Sequence, residues 1–439
     1  QTKLKGSFFG AYEDEEQGQL GLRSYDEKEK LAAQRNNTNA PYYKLKLIMD
    51  YWCSLWFWDM REAAELPTRQ QWYDDLEKII NIDLSLLEEV EVVVEEEFET
   101  TPILRQESLF EVAEPQLTLK SYRKDKTLTL KKLGEALQAN PDSLFKNKRS
   151  EIVNKLADQY KFFHNELEFI EVFKERGGFD VIVGNPPWVN ITMDEAGVLS
   201  EKNPEIFIRK LSAPKVKKLA SSILSLNSNI KAIYNQEYIW AESTKEFLGA
   251  FQNYPLLQGQ RNNLYKSILT NSFSLLSLSG YAGLVHPEGI YEDPRANELR
   301  KEVYQRLKFH FEFKNALFIF SEVHDQMNFG INVYSGEKNE IDFISIHNLY
   351  VPKTIDGIFI NKSNRPIEGK KIKDETGNFI WNIKPHSNRK VKINESSLKI
   401  VYDAFGTELD TAKDTKLVEI HADKVLSILV KLGKLKISL

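Results

Sequence analysis

The sequence predicts an α/β fold, and three features carry that expectation. Phe179-Asp180-Val181-Ile182-Val183 and Tyr281 to Val285 are short runs set beside glycines, as in strands buried within a helix-covered sheet. Phe309 to Phe313 and Phe329 to Tyr334 read as two more strands. Between the first two lies a long, mostly helical stretch, about 190 to 278, with Leu275 to Gly280 as its closing helix end and turn.

The remaining elements follow in chain order. Residues 1 to about 40 are polar and mixed, and read as irregular. From Tyr42 a helix is expected, with Leu45, Ile48, Met49, Trp52, Leu55 and Trp56 on one face. That face reads as core, with an aromatic docking surface as the alternative. Residues 76–150 read as an insertion. Its acidic run, Glu88, Glu89, Glu91, Glu95, Glu96, Glu97 and Glu99, reads as a solvated face or edge rather than a mimic of DNA charge. The basic stretch after it, Lys120, Arg123, Lys124, Lys126, Lys131 and Lys132, reads as surface, with phosphate contact as the alternative. Residues 336–439 mix short strand-like runs with a final helix from about Lys416 to Leu432. The expected division is a helical lead-in (1–75), an insertion (76–159), a core (160–335) with a helical insertion at 190–262, and a connector (336–439).

Composition narrows the class. Across 439 residues, 41% are hydrophobic and 28% charged, the profile of a globular protein with a large core. One cysteine, Cys53, excludes a disulfide framework and a cysteine-rich zinc site, and suits a reducing cytoplasm. No close histidine, cysteine and carboxylate cluster suggests a metal, so none is expected. A net charge of −5 excludes an all-over basic coat but leaves room for local basic patches. No apolar run reaches the length of a membrane span.

The chemistry concentrates at Gly184-Asn185-Pro186-Pro187-Trp188, directly after the first strand. Ligands of open α/β sheets bind outside the carboxyl ends of strands. Two prolines stiffen the loop, remove two N–H donors and push Asn185 into an extended conformation. What remains is an Asn185 side-chain oxygen and a Pro186 carbonyl as acceptors, beside the flat face of Trp188. Two acceptors can hold the hydrogens of a planar amino group such as that of adenine and make its nitrogen more nucleophilic. An aromatic ring can hold the base once it leaves the stack. His286-Pro287-Glu288 follows the second strand and reads as a structural turn, with pocket lining as the alternative.

The run from Gly178 to Trp188 resembles the catalytic motif of gamma-class adenine-specific DNA methyltransferases, and the longer pattern resembles the methylases of large type IIG restriction–modification enzymes. Tyr160 to Phe173 resembles the stretch before their catalytic strand. Asn263-Leu264-Tyr265 resembles the lead-in to the next core helix, and Gly280 to Pro287 the following strand. Phe320 to Phe329 resembles the approach to the last core hairpin. Trp52-Cys53 and its helix resemble the helix inserted between cofactor loop and catalytic loop. The resemblance implies a partial Rossmann-like methyltransferase core with long helical insertions. It implies transfer of a methyl group from S-adenosylmethionine to adenine in double-stranded DNA, in a cytoplasmic restriction–modification or phage-defence system. It implies Asn185, Pro186, Pro187 and Trp188 as catalytic residues, Trp188 and Phe329 as walls of the base pocket, and Asn185 and Asp180 toward the cofactor. Apart from the resemblance, the helix-rich stretch with Arg209, Lys210, Lys215, Lys217 and Lys218 is the candidate phosphate-contacting patch, with a solvated helix face as the alternative. No Gly-x-Gly cofactor loop is present; Lys5 to Gly10 resembles a segment just downstream of one. The expectation is therefore a piece of a longer polypeptide that supplies the cofactor loop, a target-recognition domain and, by analogy, a nuclease, with the isolated piece inactive. Methylation of RNA or of protein glutamine, and a non-catalytic DNA-binding role, remain as alternatives.

Overall fold

A computed structural model describes residues 40–80, 147–338, 340–360, 365–406 and 411–434, and the backbone of 88–94 and 121–127. The irregular lead-in and most of the expected insertion lie outside the described residues. The chain forms two compact units, 1–167 and 168–439. No helix among the described residues is long and apolar enough to cross a membrane.

In the first unit, helices Pro41–Ser54, Arg69–Ile80 and Lys148–Tyr160 are organised around polar groups. The residues of Pro41–Ser54 that become buried are Lys44, Leu47, Asp50, Tyr51 and Ser54. The expected apolar face is thus corrected: Leu45, Ile48 and Met49 are half-buried and Trp52 is exposed. The reason is Asp75, which is fully buried on the second helix. It accepts from the Tyr51 hydroxyl at 2.8 Å and from two guanidinium nitrogens of Arg149 at 2.7 and 3.0 Å. Asp50 accepts from His164 Nε2 at 2.8 Å. Buried polar groups persist only when paired this fully, and here pairing selects the buried face. Strand β1 (Glu88–Val94) pairs antiparallel with β2 (Ser121–Thr127), so Glu89 stands opposite Lys126 and Glu91 opposite Lys124 along the two backbones.

The second unit holds a six-stranded sheet of β3 (Phe179–Gly184), β4 (Leu276–Pro287), β5 (Leu307–Lys314), β6 (Asn328–Ser335), β7 (Asp342–Leu349) and β10 (Val391–Asn394), in the order β10-β7-β5-β6-β4-β3. A separate ribbon joins β8 (Lys371–Lys373) to β9 (Phe379–Trp381). The α/β expectation holds, and all four expected strands form, but β3 is corrected from a buried strand to an edge strand, with Val181 65% and Val183 80% exposed. β3 and β4 are parallel neighbours, with Val181 opposite Tyr281. The sheet as a whole is mixed, because β6 runs antiparallel between β4 and β5.

Three local expectations are corrected. Leu276–Gly280 is strand, not turn: helix Leu264–Leu275 passes into β4 without a gap. Gly178 allows this, since its φ of 147° suits only glycine and a Cβ there would lie 2.7 Å from the backbone of Leu275 to Ser277. The final helix spans Lys424–Lys434, so its start lies past Lys416. Residues 342–349 and 391–394, within the expected connector, are strands of the same sheet.

One sheet face packs Phe313, Phe329 and Ile346 with Leu349 and Ile358. The other carries Ala282, Leu284 and Tyr334 under helices Leu264–Leu275 and Asn297–Arg306. The alternation in β5, Phe309, Phe311 and Phe313 against His310 and Glu312, divides one strand between the two environments.

Candidate active site

The pairing directions gather the carboxyl ends of β3, β4, β5 and β7 and the amino end of β6 at one rim. The Asn185–Trp188 loop leaves β3 there. The Asn185 side chain is exposed and has no hydrogen-bond partner among the described residues, while Pro186 is buried. The loop is anchored beyond its tip: Leu264 N–H donates to the Val189 carbonyl at 3.1 Å, and Asn190 bridges to Asn263. Asn263 caps helix Leu264–Leu275, so the loop is fastened to a helix start.

Trp188 is half-buried and touches both apolar clusters. Its indole Nε1 donates to the Val285 carbonyl at 3.2 Å. Phe320 meets it edge-on at 5.4 Å, and Phe329 lies behind at 5.8 Å. Of the two readings of Phe329, a wall of the base pocket or a core phenylalanine of its strand, the structure favours the second. Phe329 is 2% exposed and stacked on Phe313 at 5.4 Å, so its ring supports the indole rather than facing solvent. Phe320, which the sequence reading did not single out, stands beside the indole instead. Asn315 holds it there, accepting from Phe320 N–H at 3.0 Å and donating to the carbonyls of Phe320 and Val323.

His286 belongs to the structure of the rim, not to an open surface. Its Nδ1 donates to the Pro287 carbonyl and its Nε2 accepts from the Tyr334 hydroxyl at 2.7 Å. Complete burial holds its pKa down at about 4. Glu288, also buried, begins a polar chain across the sheet. Its Oε2 meets His310 Nε2 at 2.9 Å; His310 Nδ1 meets Ser345 Oγ at 2.8 Å; Ser345 meets His347 Nε2 at 2.8 Å; and His347 Nδ1 donates to Glu312. Asn328, just before Phe329, donates to Glu312 at 2.8 Å. Burial and the Glu312 charge raise the Glu288 pKa well above the carboxylate range. Burial also pushes Glu312 up, but the His347 hydrogen bond and the nearby imidazoles outweigh it. The two carboxyls are thus shifted in opposite directions, Glu288 up and Glu312 down, and burial holds His310 down at about 4. The available signal for this chain was the polar alternation within β5.

Other expected residues stand apart. Asp180 lies at the opposite end of β3 from Asn185, exposed and paired with Arg176 at 2.6 Å. Arg209, Lys210, Lys215, Lys217 and Lys218 are exposed on a helical lobe with its own core of Leu199, Ile206, Val216, Ala220 and Ile230. Among the described residues no group of histidine, cysteine and carboxylate side chains is placed to hold a metal.

Residues 53–226 match the family model of the Eco57I restriction-modification methylases. That match supports a restriction–modification methylase. It spans less than half of the chain and includes β3, the Asn185 loop and most of the helical lobe. Among solved structures, the ATP-dependent Type ISP restriction-modification enzyme LlaBIII bound to DNA is similar at 12% identity, over 48% of this chain, with a TM-score of 0.21. The chain spans 12% of that enzyme's length. No curated protein matches.

Proposed function

We propose that this chain carries the base-holding half of an adenine-specific DNA methyltransferase of a restriction–modification system. The observation that carries the reading is the exposed side-chain amide of Asn185, without a hydrogen-bond partner among the described residues, on a stiff loop at the sheet rim, next to a Trp188 whose ring is fixed by Val285, Phe320 and Phe329. Asn185 and the Pro186 carbonyl accept the two hydrogens of the adenine amine and localise its lone pair. The indole stacks on the extruded base.

Restriction–modification methylases generally use S-adenosylmethionine, which supplies an electrophilic methyl group when bound. The described residues offer acceptors and an aromatic face suited to the base, and no glycine turn at the rim suited to the adenosyl group. Their positive-φ glycines are Gly177, Gly178, Gly259 and Gly377, none at the rim end of a sheet strand, and Asp180 is tied to Arg176. The chemistry assigned to this chain is therefore restricted to holding and polarising the amine.

The test is transfer of tritiated methyl groups to duplex DNA by the polypeptide carrying this chain. Asn185→Ala should slow single-turnover transfer roughly 10²–10³-fold, as when one transition-state hydrogen bond is removed. A wild-type rate in that variant, or methylation confined to cytosine, overturns the reading.

A further inference from the structure

The helical lobe ends in an exposed tip that its own core does not explain. Helix Glu205–Ile208 buries Ile206 but leaves Phe207 75% and Ile208 76% exposed. The chain then turns sharply: Lys210 N–H donates to the Phe207 carbonyl at 3.2 Å and Leu211 N–H to the Ile206 carbonyl at 3.1 Å. This paired closure requires a left-handed residue, and Lys210 takes it with φ 45°. Glycine adopts that conformation freely, whereas lysine does so at a cost. Leu211 returns to the lobe core beside Ile206, so the turn is fixed at both ends.

The surroundings are cationic. Between residues 201 and 218 there are six lysines and arginines against two glutamates. Arg209 pairs with Glu205, both exposed. Lys202, Lys210, Lys215, Lys217 and Lys218 have no carboxylate within ion-pair distance among the described residues. An exposed apolar pair on a segment rich in exposed cations, without ion-pair partners among the described residues, is complementary to a duplex. The cations face phosphates, and the apolar side chains enter between base steps.

We propose that Phe207 and Ile208 form a wedge that enters duplex DNA and unstacks a base step while the surrounding lysines hold the backbone. The proposal rests on DNA being the substrate, as proposed above, but not on methyl transfer.

The test uses the full chain and a duplex carrying 2-aminopurine. Wild-type protein should bind and raise the 2-aminopurine emission. Phe207→Ala/Ile208→Ala should keep the salt dependence of binding and lose the emission rise. Lys210→Gly relieves the left-handed lysine, so it should unfold at higher denaturant than wild type yet bind DNA less tightly. Its slope of log affinity against log salt should fall by about 0.9, the loss of one phosphate contact. An equal emission rise in the double variant, no duplex binding by wild type, or binding to anionic vesicles in preference to duplex overturns the wedge. Unstacking by this chain, with no methyl transfer to adenine by the longer polypeptide that carries it, leaves the wedge standing and removes the methyltransferase reading.

Discussion

The indole N–H of Trp188 donates to the backbone carbonyl of Val285, so a loop leaving β3 is fastened to the neighbouring strand by its own candidate stacking group. Removing only that bond, as in Trp188→Phe, should cost about 1 kcal/mol of stability. Trp188→Ala also opens a gap touching both apolar clusters and should cost about 3 kcal/mol. Urea unfolding midpoints separate the two. Equal losses would show that packing around the ring contributes nothing beyond the bond.

His286 and His310 are held neutral in the fold, with pKa values near 4, and rise toward 6.5 on unfolding. Depressed imidazole values mean stability that is complete above about pH 6.5 and is lost as pH falls toward 4. Each contributes about 3 kcal/mol to that loss once protonated. Imidazole ¹⁵N spectra should show both rings neutral at pH 5.5. A charged signal from either at that pH contradicts the buried arrangement.

Gly330 lies where an added Cβ would overlap Glu288 Oε1 and Asn332 Nδ2. Both side chains are pinned, Glu288 by His310 and Asn332 by the Tyr291 hydroxyl. Gly330→Ala should therefore destabilise by about 1–3 kcal/mol. Calorimetry that finds the variant as stable as wild type would mean the polar chain yields freely.

In the first unit, Asp75→Ala should cost about 3 kcal/mol, because it removes the carboxylate that accepts from the Tyr51 hydroxyl and the Arg149 guanidinium. Tyr51→Phe removes one bond and should cost nearer 1 kcal/mol. Chemical denaturation of both variants ranks them. The reverse order would displace Asp75 from the centre of this unit.

These outcomes mark where sequence reasoning reached and where it stopped. β3, β4, β5 and β6 were legible because Val181, Ala282, Phe311 and Ile331 belong to runs whose period or apolarity has few other uses. The Asn185 loop was legible because two prolines after a strand define its geometry locally. The helix from Pro41 was misread in face, since spacing cannot reveal that Asp50 and Tyr51 will find His164 and Asp75. Phe320 and Glu288 were missed or undervalued for the same reason: their roles depend on Asn315 and on His310, partners set by tertiary pairing. Phe329 was placed correctly on its strand, but its burial depends on Phe313 in the next one.

Asn315 also has a consequence for how this protein can vary. Its N–H donates to the Met327 carbonyl and its side chain fastens Phe320, Val323 and His324, so the excursion between β5 and β6 is knotted at its base. Because Asn315 reaches Val323 and His324 through their backbone carbonyls, the side chains of residues 321 to 326 can change in identity while Phe320 keeps its place against the indole. The rim behaves as a fixed frame in which backbone bonds, not side-chain identity, hold the excursion between β5 and β6 in place.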